Sequence, residues 1–221
     1  MDPALEQTLA FITDEIPSPR RLLEVGCGDG RLAAALSARG HDITALDVHL
    51  PSDLPPGPRF IEQDFLADHD DHPYDAILFT HSLHHISPLE AALDRARALL
   101  APGGLIVIED FDVAAPDEAT AAFWWAIAEH HDHAHGDSGG TALDRWRTHH
   151  DHTPPLHTAT TMYDALAALF ATLSATVGPY LYRYAASDAE MTSTLVAEQA
   201  AIGHGTVLPV GRRWIVRLPH A

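Results

Sequence analysis

The stretch LLEVGCGDGRL, residues 22–32, decides the fold. A short apolar run with an acid near its end, Glu24, is followed by Gly26, Gly28 and Gly30, and then by an Ala- and Leu-rich segment. Glycine adopts backbone conformations that other residues avoid, so this spacing predicts a sharp turn from a buried strand into a helix. Three alternate glycines are more than a turn needs, which indicates that the backbone passes close to a ligand.

Strand and helix patterns alternate around this turn, from residue 20 to residue 112. The strands are continuous apolar runs, which is typical of a parallel sheet covered by helices on both faces. In open sheets of this kind, ligands bind beyond the carboxyl ends of the strands. The candidate functional residues are therefore those at the predicted strand ends: Glu24, Asp47, Asp64, His81 and Asp110.

The rest of the chain is less regular, and we interpret residues 1–221 as a single domain. Its predicted parts are a cofactor-binding core at 20–112, a helix and His-rich substrate lid at 113–160, and C-terminal strands and helices at 161–221. No internal repeat and no second domain is indicated.

Two further strands are predicted in the C-terminal part, LSATVGPYLYRYA at 173–185 and TVLPVGRRWIVRLP at 206–219, with a helix at 187–202 between them. Alternate residues of a strand point to the same face. We therefore expect three tyrosines of the first strand to line a pocket together or to pack beneath a helix: Tyr180, Tyr182 and Tyr184.

Composition and charge exclude several classes of partner. The 221 residues include 31 acids and 13 bases, no Lys, and a formal net charge of −18. Such a field repels a phosphate backbone and the Arg residues are scattered, so we expect no nucleic-acid binding. The single cysteine permits no internal disulfide, and neither a signal peptide nor an apolar run of membrane-helix length is evident. We expect a cytoplasmic protein with no membrane partner; the sequence gives no signal for its oligomeric state.

The glycine spacing separates two kinds of nucleotide site. The dinucleotide fingerprint G-x-G-x-x-G requires a third glycine at the position of Arg31, so it is not met. The observed G-x-G-x-G, with Glu24 two residues ahead, resembles the first motif of the class I S-adenosylmethionine-dependent methyltransferases. Asp47, EQDF at 62–65, YDAI with FTHSLHHI at 74–86, and LAPGGLIVIED at 100–110 resemble that family's later motifs, in the same order.

This resemblance implies a Rossmann-like, doubly wound α/β domain with a mostly parallel seven-stranded sheet and an antiparallel last strand. It implies S-adenosylmethionine as cofactor and transfer of its methyl group to a small molecule. In the family, the acid matched by Asp47 binds both ribose hydroxyls, and the acid matched by Asp64 binds the adenine amino group. The cofactor-binding residues implied are Glu24, Gly26, Cys27, Gly28, Gly30, Asp47, Val48, Asp64, Phe65, Thr80 and His81.

Two other functions remain open at this point. One is a cofactor- or metal-binding module that has the fold without the reaction. The other is a nicotinamide-dependent oxidoreductase. It is disfavoured because Arg31 stands where the dinucleotide fingerprint requires its third glycine, and because no substrate domain is predicted.

Histidine is the natural base near neutral pH, and its distribution provides the catalytic candidates. His85 follows the fourth predicted strand, where the methyl group is expected. Eight of the 17 histidines lie at residues 130–157, and His157 follows two prolines there. We predict His85 and His157 as catalytic. For the cluster itself, a solvated loop, a substrate lid and a metal site all remain open; the i,i+4 pairs Glu129/His133 and His131/His135 are the metal candidates.

Overall fold

Seven strands form one sheet in a computed structural model of the chain, which describes residues 2–18, 20–67, 73–128 and 140–219. In chain order the strands are β1 Arg21–Val25, β2 Asp42–Asp47, β3 Arg59–Glu62, β4 Tyr74–Thr80, β5 Leu100–Phe111, β6 Ala171–Gly178 and β7 Gly211–Arg217. Their order across the sheet is β3-β2-β1-β4-β5-β7-β6. Neighbours from β3 to β5 run parallel, whereas β7 is antiparallel to β5 and β6. The predicted sheet, including its antiparallel last strand, is confirmed.

The central strands are buried on both faces. Ile77 and Leu78 are neighbours on β4 and therefore point to opposite sides of the sheet, yet both are completely buried. Leu22 and Leu23, which are neighbours on β1, are also both completely buried. Continuous apolar strands thus form here because each face of the sheet is covered by helices.

The described residues contain the helices α1 Pro3–Glu15, α2 Arg31–Ser37, α3 Leu89–Leu99, α4 Glu118–Ala128, α5 Ala142–His149, α6 Ala159–Leu169 and α7 Asp188–Gly203. Helices α1 and α2 pack with Leu22 and Leu78, and α3 and α6 pack with Leu23 and Ile77. The sheet therefore lies between two helical layers. None of the described helices has the length and apolar character needed to cross a membrane.

A third group of buried residues lies beyond the carboxyl end of β5. It joins Phe111 to α4, α5 and a 3₁₀ helix at Leu181–Tyr184, through Trp124 and Trp146 among others. Helix α5 was not predicted from the sequence. It begins with a capping box, in which Thr141 and Asp144 exchange side-chain and backbone hydrogen bonds, and this pattern is readable as T-A-L-D.

The predicted strand through the three tyrosines is wrong beyond Gly178. Strand β6 ends there, and the chain turns into the 3₁₀ helix. Pro179 follows and has no N–H to donate to the sheet. Glu198 on α7 then holds the next residues, because its carboxylate accepts hydrogen bonds from the N–H groups of Tyr180, Leu181 and Tyr182 at 2.7–2.9 Å. Because these amides bond to one side chain, they do not extend the sheet, and the tyrosines do not alternate on a strand.

Candidate active site

The glycine turn between β1 and α2 lies at the carboxyl edge of the sheet. Gly26, Gly28 and Gly30 all have positive φ, of 76°, 53° and 74°, a conformation that favours glycine. A Cβ on Gly26 would lie 2.5 Å from Ser82 Cβ, whereas a Cβ on Gly28 would meet no atom within 4 Å. The turn is therefore packed against protein at Gly26 and open at Gly28. The sharp turn predicted from the sequence is confirmed.

Asp47 ends β2 beside this turn. Its Oδ2 accepts a hydrogen bond from the Gly28 N–H at 2.8 Å, and its Oδ1 accepts one from the His49 N–H at 3.2 Å. These bonds orient the carboxylate and leave lone pairs on both oxygens for further donors. The neighbouring Val48 is 55% exposed, which is unusual for a large apolar side chain and provides an apolar surface next to the carboxylate.

Asp47 lines a cavity of about 470 Å³, within the size range of small-molecule sites. The exposed Asp64 also lines it, with Oδ1 accepting a hydrogen bond from the Leu66 N–H at 2.8 Å. Phe65 is 3% exposed and packs edge-to-face on Phe79. Of the predicted site residues, the structure brings together at this cavity Gly26, Gly28, Asp47, Val48, Asp64, Phe65, His81 and His85.

Glu24 faces a second cavity, of about 220 Å³, on the other side of the glycine turn. Thr80 Oγ1 donates to its Oε1 at 3.4 Å, while Oε2 is buried with no hydrogen-bond partner among the described residues. Burial raises the pKa of Glu24 to about 8, and the Asp29 and Asp47 carboxylates add to the rise. A cation placed in this cavity would stabilise the charged form of Glu24.

Cys27 and Gly30, also predicted at the site, lie in the turn itself. Cys27 lines the smaller cavity, but burial and the neighbouring Glu24 raise the pKa of its thiol to about 12. The thiol is therefore protonated at neutral pH and is no nucleophile. Gly30 packs against the Phe60 ring and precedes α2, so its contribution is to the shape of the turn.

His81 lies between the two cavities and lines both. Its φ is +58°, and its N–H donates to the Glu109 carbonyl oxygen at 2.7 Å. Burial lowers the pKa of His81 to about 4, and the Arg183 guanidinium contributes to the decrease. The ring is therefore neutral at physiological pH, and it packs edge-to-face against Tyr180.

The two histidines that follow have different environments. His84 is buried, with Nδ1 2.6 Å from Asp110 Oδ1, and its N–H donates to the other oxygen of Asp110 at 3.3 Å. His85 is exposed into the larger cavity, and its ring centroid is 4.1 Å from that of His84 and 5.2 Å from that of His152. Partial burial and these two rings lower the pKa of His85 to about 4. Asp110 thus anchors the short turn that presents a neutral His85 to the cavity.

His157 is not among the residues that line the larger cavity. Its N–H donates to the His84 carbonyl oxygen at 3.0 Å, and its Nε2 lies 2.9 Å from the Ile86 carbonyl oxygen. A carbonyl only accepts, so this contact requires the proton on Nε2. His157 therefore ties the segment before α6 to the turn that carries His85.

The predicted His-rich lid lies only partly within the described residues. Glu129 and the histidines at 130, 131, 133 and 135, which contain both metal candidate pairs, lie outside them. His150 is within them and belongs to an aromatic cluster: its Nδ1 donates to the Trp146 carbonyl oxygen at 2.8 Å and its Nε2 lies 3.0 Å from Tyr184 Oη. Within the described ranges, no group of three or more His, Cys, Asp or Glu side chains is arranged to hold a metal.

Arg183 lines the smaller cavity and was not predicted from the sequence. It comes from the 3₁₀ helix after β6, forms an ion pair with Glu109 at 3.1 Å, and donates to Thr8 Oγ1 at 3.0 Å. Thr8 in turn bonds to the same carboxylate of Glu109. No sequence signal identifies this residue, because its place depends on Glu198 holding the preceding turn.

Together the two cavities suit an elongated ligand that passes the glycine turn. They share Gly26, Gly28 and His81, so they adjoin at the open position of the turn. Glu24 offers a buried carboxylate to a cation at one end, and Asp47 offers an oriented carboxylate to a diol in the middle. Val48 offers an apolar surface to a planar ring at the other end. These features define a Rossmann-like domain whose two adjoining cavities offer acceptors for a cation and a diol and an apolar surface beside them.

A family model described as a methyltransferase domain matches residues 1–148, and the chain belongs to this family. The match contains β1 to β5 and the glycine turn, while β6, β7 and Arg183 lie beyond it. The family predicted from the motifs is confirmed.

Curated relatives share part of the chain. An uncharacterized methyltransferase of Mycobacterium tuberculosis is 35% identical over 98 residues, which are 41% of this chain and 50% of that protein. A ubiquinone biosynthesis O-methyltransferase of Alkalilimnicola ehrlichii is 30% identical over 99 residues, 40% of each chain. The aligned part thus spans half or less of these relatives.

Solved structures are similar over nearly the whole chain. The 1,6-didemethyltoxoflavin-N1-methyltransferase of Burkholderia thailandensis, with bound 1,6-didemethyltoxoflavin and S-adenosylhomocysteine, has a TM-score of 0.60 at 18% identity and covers 98% of this chain and 79% of that chain. The [4+2]-cyclase SpnF has a TM-score of 0.60 at 19% identity and covers 98% and 81%. At such identities the likeness concerns the fold, which confirms the Rossmann-like methyltransferase architecture.

Proposed function

We propose that this protein is an S-adenosylmethionine-dependent methyltransferase that acts on a small molecule. The observation that carries the proposal is the buried Glu24 carboxylate, whose Oε2 has no partner in the described residues, beside the open position of the glycine turn. A buried carboxylate oxygen without a partner is costly. The amino group of S-adenosylmethionine is a cation that would offset this cost.

The other cofactor contacts proposed follow the cavity outward from Glu24. Asp47 would accept hydrogen bonds from both ribose hydroxyls, because its carboxylate is already oriented by the Gly28 N–H and retains free lone pairs. Val48 and Phe65 would contact the adenine ring, and Asp64 would accept a hydrogen bond from the adenine amino group. Thr80 would act indirectly, by orienting Glu24.

When bound, S-adenosylmethionine supplies a methyl group on a sulfonium, which a nucleophile can displace. The chain has to align the acceptor with that group, and alignment alone can supply a large part of the rate. His85 extends into the larger cavity as a neutral imidazole, so it is placed to accept a hydrogen bond or a proton from the acceptor. Ile86 and Pro154 line the same cavity and would exclude water from this region.

For His157 we propose a positioning role in place of the base predicted from the sequence. Its ring is engaged with the Ile86 carbonyl oxygen, and its backbone with that of His84. Both bonds hold the turn that presents His85. Of the three interpretations of the histidine cluster, the contact between His152 and His85 favours a lid next to the acceptor.

Calorimetric titration with S-adenosylhomocysteine tests the cofactor assignment, and incubation with methyl-labelled S-adenosylmethionine and a panel of small hydroxyl, amine, thiol and heteroaromatic acceptors tests the reaction. We expect binding and labelling of at least one acceptor class. Binding without any labelled product favours a module that has lost the reaction, a relevant alternative because this fold is also that of a cyclase. Binding of NADH instead would support the oxidoreductase.

Cofactor affinity is expected to depend on pH through Glu24. Its pKa of about 8 means that the free protein holds this carboxyl protonated at neutral pH, whereas an ammonium group requires the carboxylate. S-adenosylhomocysteine binding should therefore release a proton, and its affinity should rise by up to about tenfold per pH unit between about pH 6 and pH 8, then level off. Calorimetry in buffers of different ionisation enthalpy measures both effects.

Two variants control this experiment. Glu24→Gln should bind with an affinity that is independent of pH in this range. Asp29→Asn keeps Glu24 but removes one charge that raises the pKa of Glu24, so the affinity should stop rising at a lower pH than in the wild type. A wild-type affinity that stays constant across the range would contradict the proposed contact between Glu24 and the amino group.

We also propose that the protein acts in the cytoplasm and without nucleic acid. The net charge of −18 and the single cysteine support this. Fluorescence anisotropy with labelled RNA and DNA at low salt should show no saturable binding; saturation with a steep dependence on salt would contradict it.

A further inference from the structure

The two edges of the sheet differ in how they are protected. At one edge, β3 has four residues and carries Arg59 and Glu62 at its ends, and short, charged edge strands resist pairing with another chain. At the other edge, β6 has eight residues, ATLSATVG, none of them charged. In the part of the chain that the structure describes, β6 pairs only with β7. Its outer side thus presents a long, uncharged edge.

Exposed apolar side chains are concentrated at this edge. Leu173 is 49% exposed and Val177 is 62% exposed on β6, and Val196 on α7 is 63% exposed. Val177 and Leu195 line one groove between β6 and α7, so strand and helix adjoin. The two other large apolar side chains of comparable exposure in the described residues are Val48, at the cofactor cavity, and Leu208.

Helix α7 is also poorly buried. Of its 16 residues, Glu198 is the one that is fully buried. The Glu198 carboxylate bonds to the backbone of the 3₁₀ helix. A surface helix of a globular protein ordinarily buries an apolar stripe. On α7, Leu195 and Ile202 are only partly covered and Val196 is exposed. The surface formed by β6 and α7 therefore has the character of a protein interface.

We infer that β6 and α7 form the interface of a homodimer, in which the edges of two β6 strands pair antiparallel about a twofold axis. Such an arrangement is self-complementary, as a twofold interface must be. The register of β6 against β7 shifts between Thr172 and Ser174, so the regular segment Ser174–Gly178 is the part expected to pair.

Charge favours a second copy of this chain as the occupant. Two molecules that each carry −18 repel one another least where they meet through surface without charge. Residues 165–182 contain no acidic or basic residue and include the whole of β6. A basic partner would gain more from the acidic surface elsewhere, so this uncharged edge is best suited to an identical acidic molecule.

Sedimentation velocity of the full chain over a range of micromolar concentrations tests the inference. We expect a dimer in the wild type. Val177→Glu and Val177→Lys should each weaken it by roughly tenfold or more, because a charge on this strand lies on the same face as its own symmetry mate, diagonally across the paired edges, or is buried unpaired. Leu208→Glu is the matched control, with the same change at an exposed apolar position outside β6 and α7, and it should remain dimeric.

Using charges of both signs separates an edge contact from a general effect of net charge. Dissociation by Glu but not by Lys would indicate general repulsion and overturn the inference. A wild type that stays monomeric at the highest concentration would also overturn it, as would a dimer that both Val177 variants leave intact. Unchanged S-adenosylhomocysteine binding and circular dichroism would show that the variants remain folded.

Discussion

Replacing Asp47 by alanine is expected to weaken S-adenosylhomocysteine binding by roughly 10- to 100-fold, which corresponds to about 1.5–3 kcal/mol for hydrogen bonds to a charged group. The carboxylate is held by the Gly28 and His49 N–H groups, so it is oriented for the ribose hydroxyls before the ligand arrives. A group fixed in advance loses little conformational freedom on binding, and its removal therefore costs most of the interaction. Calorimetric titration well above pH 8, where most of the Glu24 carboxyl is ionised, measures this loss directly.

The choice of pH matters because the two carboxylates interact. Asp47 contributes to the raised pKa of Glu24, so its removal makes Glu24 easier to ionise and offsets part of the loss at neutral pH. Asp47→Asn keeps the size of the side chain and an acceptor for the Gly28 N–H, and it should still lose most of the affinity. Thermal unfolding should change little in either variant, because Asp47 is only partly buried and water can replace it on the turn. An alanine variant with unaltered affinity would remove Asp47 from the cofactor site.

The parts of the site that were predictable from sequence are those fixed by local chain geometry. Gly26 must lack a side chain because Ser82 lies against it, and a positive φ favours glycine at position 28. Both constraints are therefore visible in the sequence as glycines. Asp47 is predictable because a parallel strand presents its carboxyl end at one edge of the sheet. Spacing along the chain thus predicted the turn and the acids around it.

The parts that were not predictable depend on contacts between distant segments. Arg183 reaches the smaller cavity because Glu198 holds the turn before it. The engagement of His157 with the Ile86 carbonyl oxygen likewise joins residues far apart in sequence. Neither arrangement follows from a local pattern, and a histidine within a histidine-rich segment gives no sign of which atom it bonds to.

Replacing His85 by alanine is expected to lower turnover by roughly 100-fold or more while cofactor affinity stays nearly constant, which is the usual effect of losing a positioned acid–base group. His85 is exposed into the larger cavity, whereas its neighbour His84 is buried against Asp110. The measurement requires saturating cofactor, so that the ionisation of Glu24 does not contribute, and an acceptor identified from the panel. Full turnover in the alanine variant would exclude His85 from catalysis.

The pH dependence of turnover provides a more specific test. The pKa of His85 is lowered to about 4, so the ring is neutral at every pH well above that value and protonates only as the pH falls through it. Turnover should therefore be level from about pH 5 to pH 8 and fall only at lower pH, whereas an ordinary histidine would give a decline near pH 6.5. A histidine resonance that is still in the neutral form at about pH 5.5, and that is missing in His85→Gln, would identify the ring without an acceptor.

Two neighbouring histidines separate the roles within this cluster. His152 is among the causes of the lowered pKa of His85, so His152→Ala should leave turnover at about pH 8 unchanged and move the acid decline to higher pH. His157→Ala removes a bond that holds the turn but no side chain that lines the larger cavity, so it should lower turnover less than His85→Ala does and leave the position of the decline unchanged. If His157→Ala instead lowered turnover as strongly as His85→Ala and displaced the decline, the base would be His157, as first expected from the sequence.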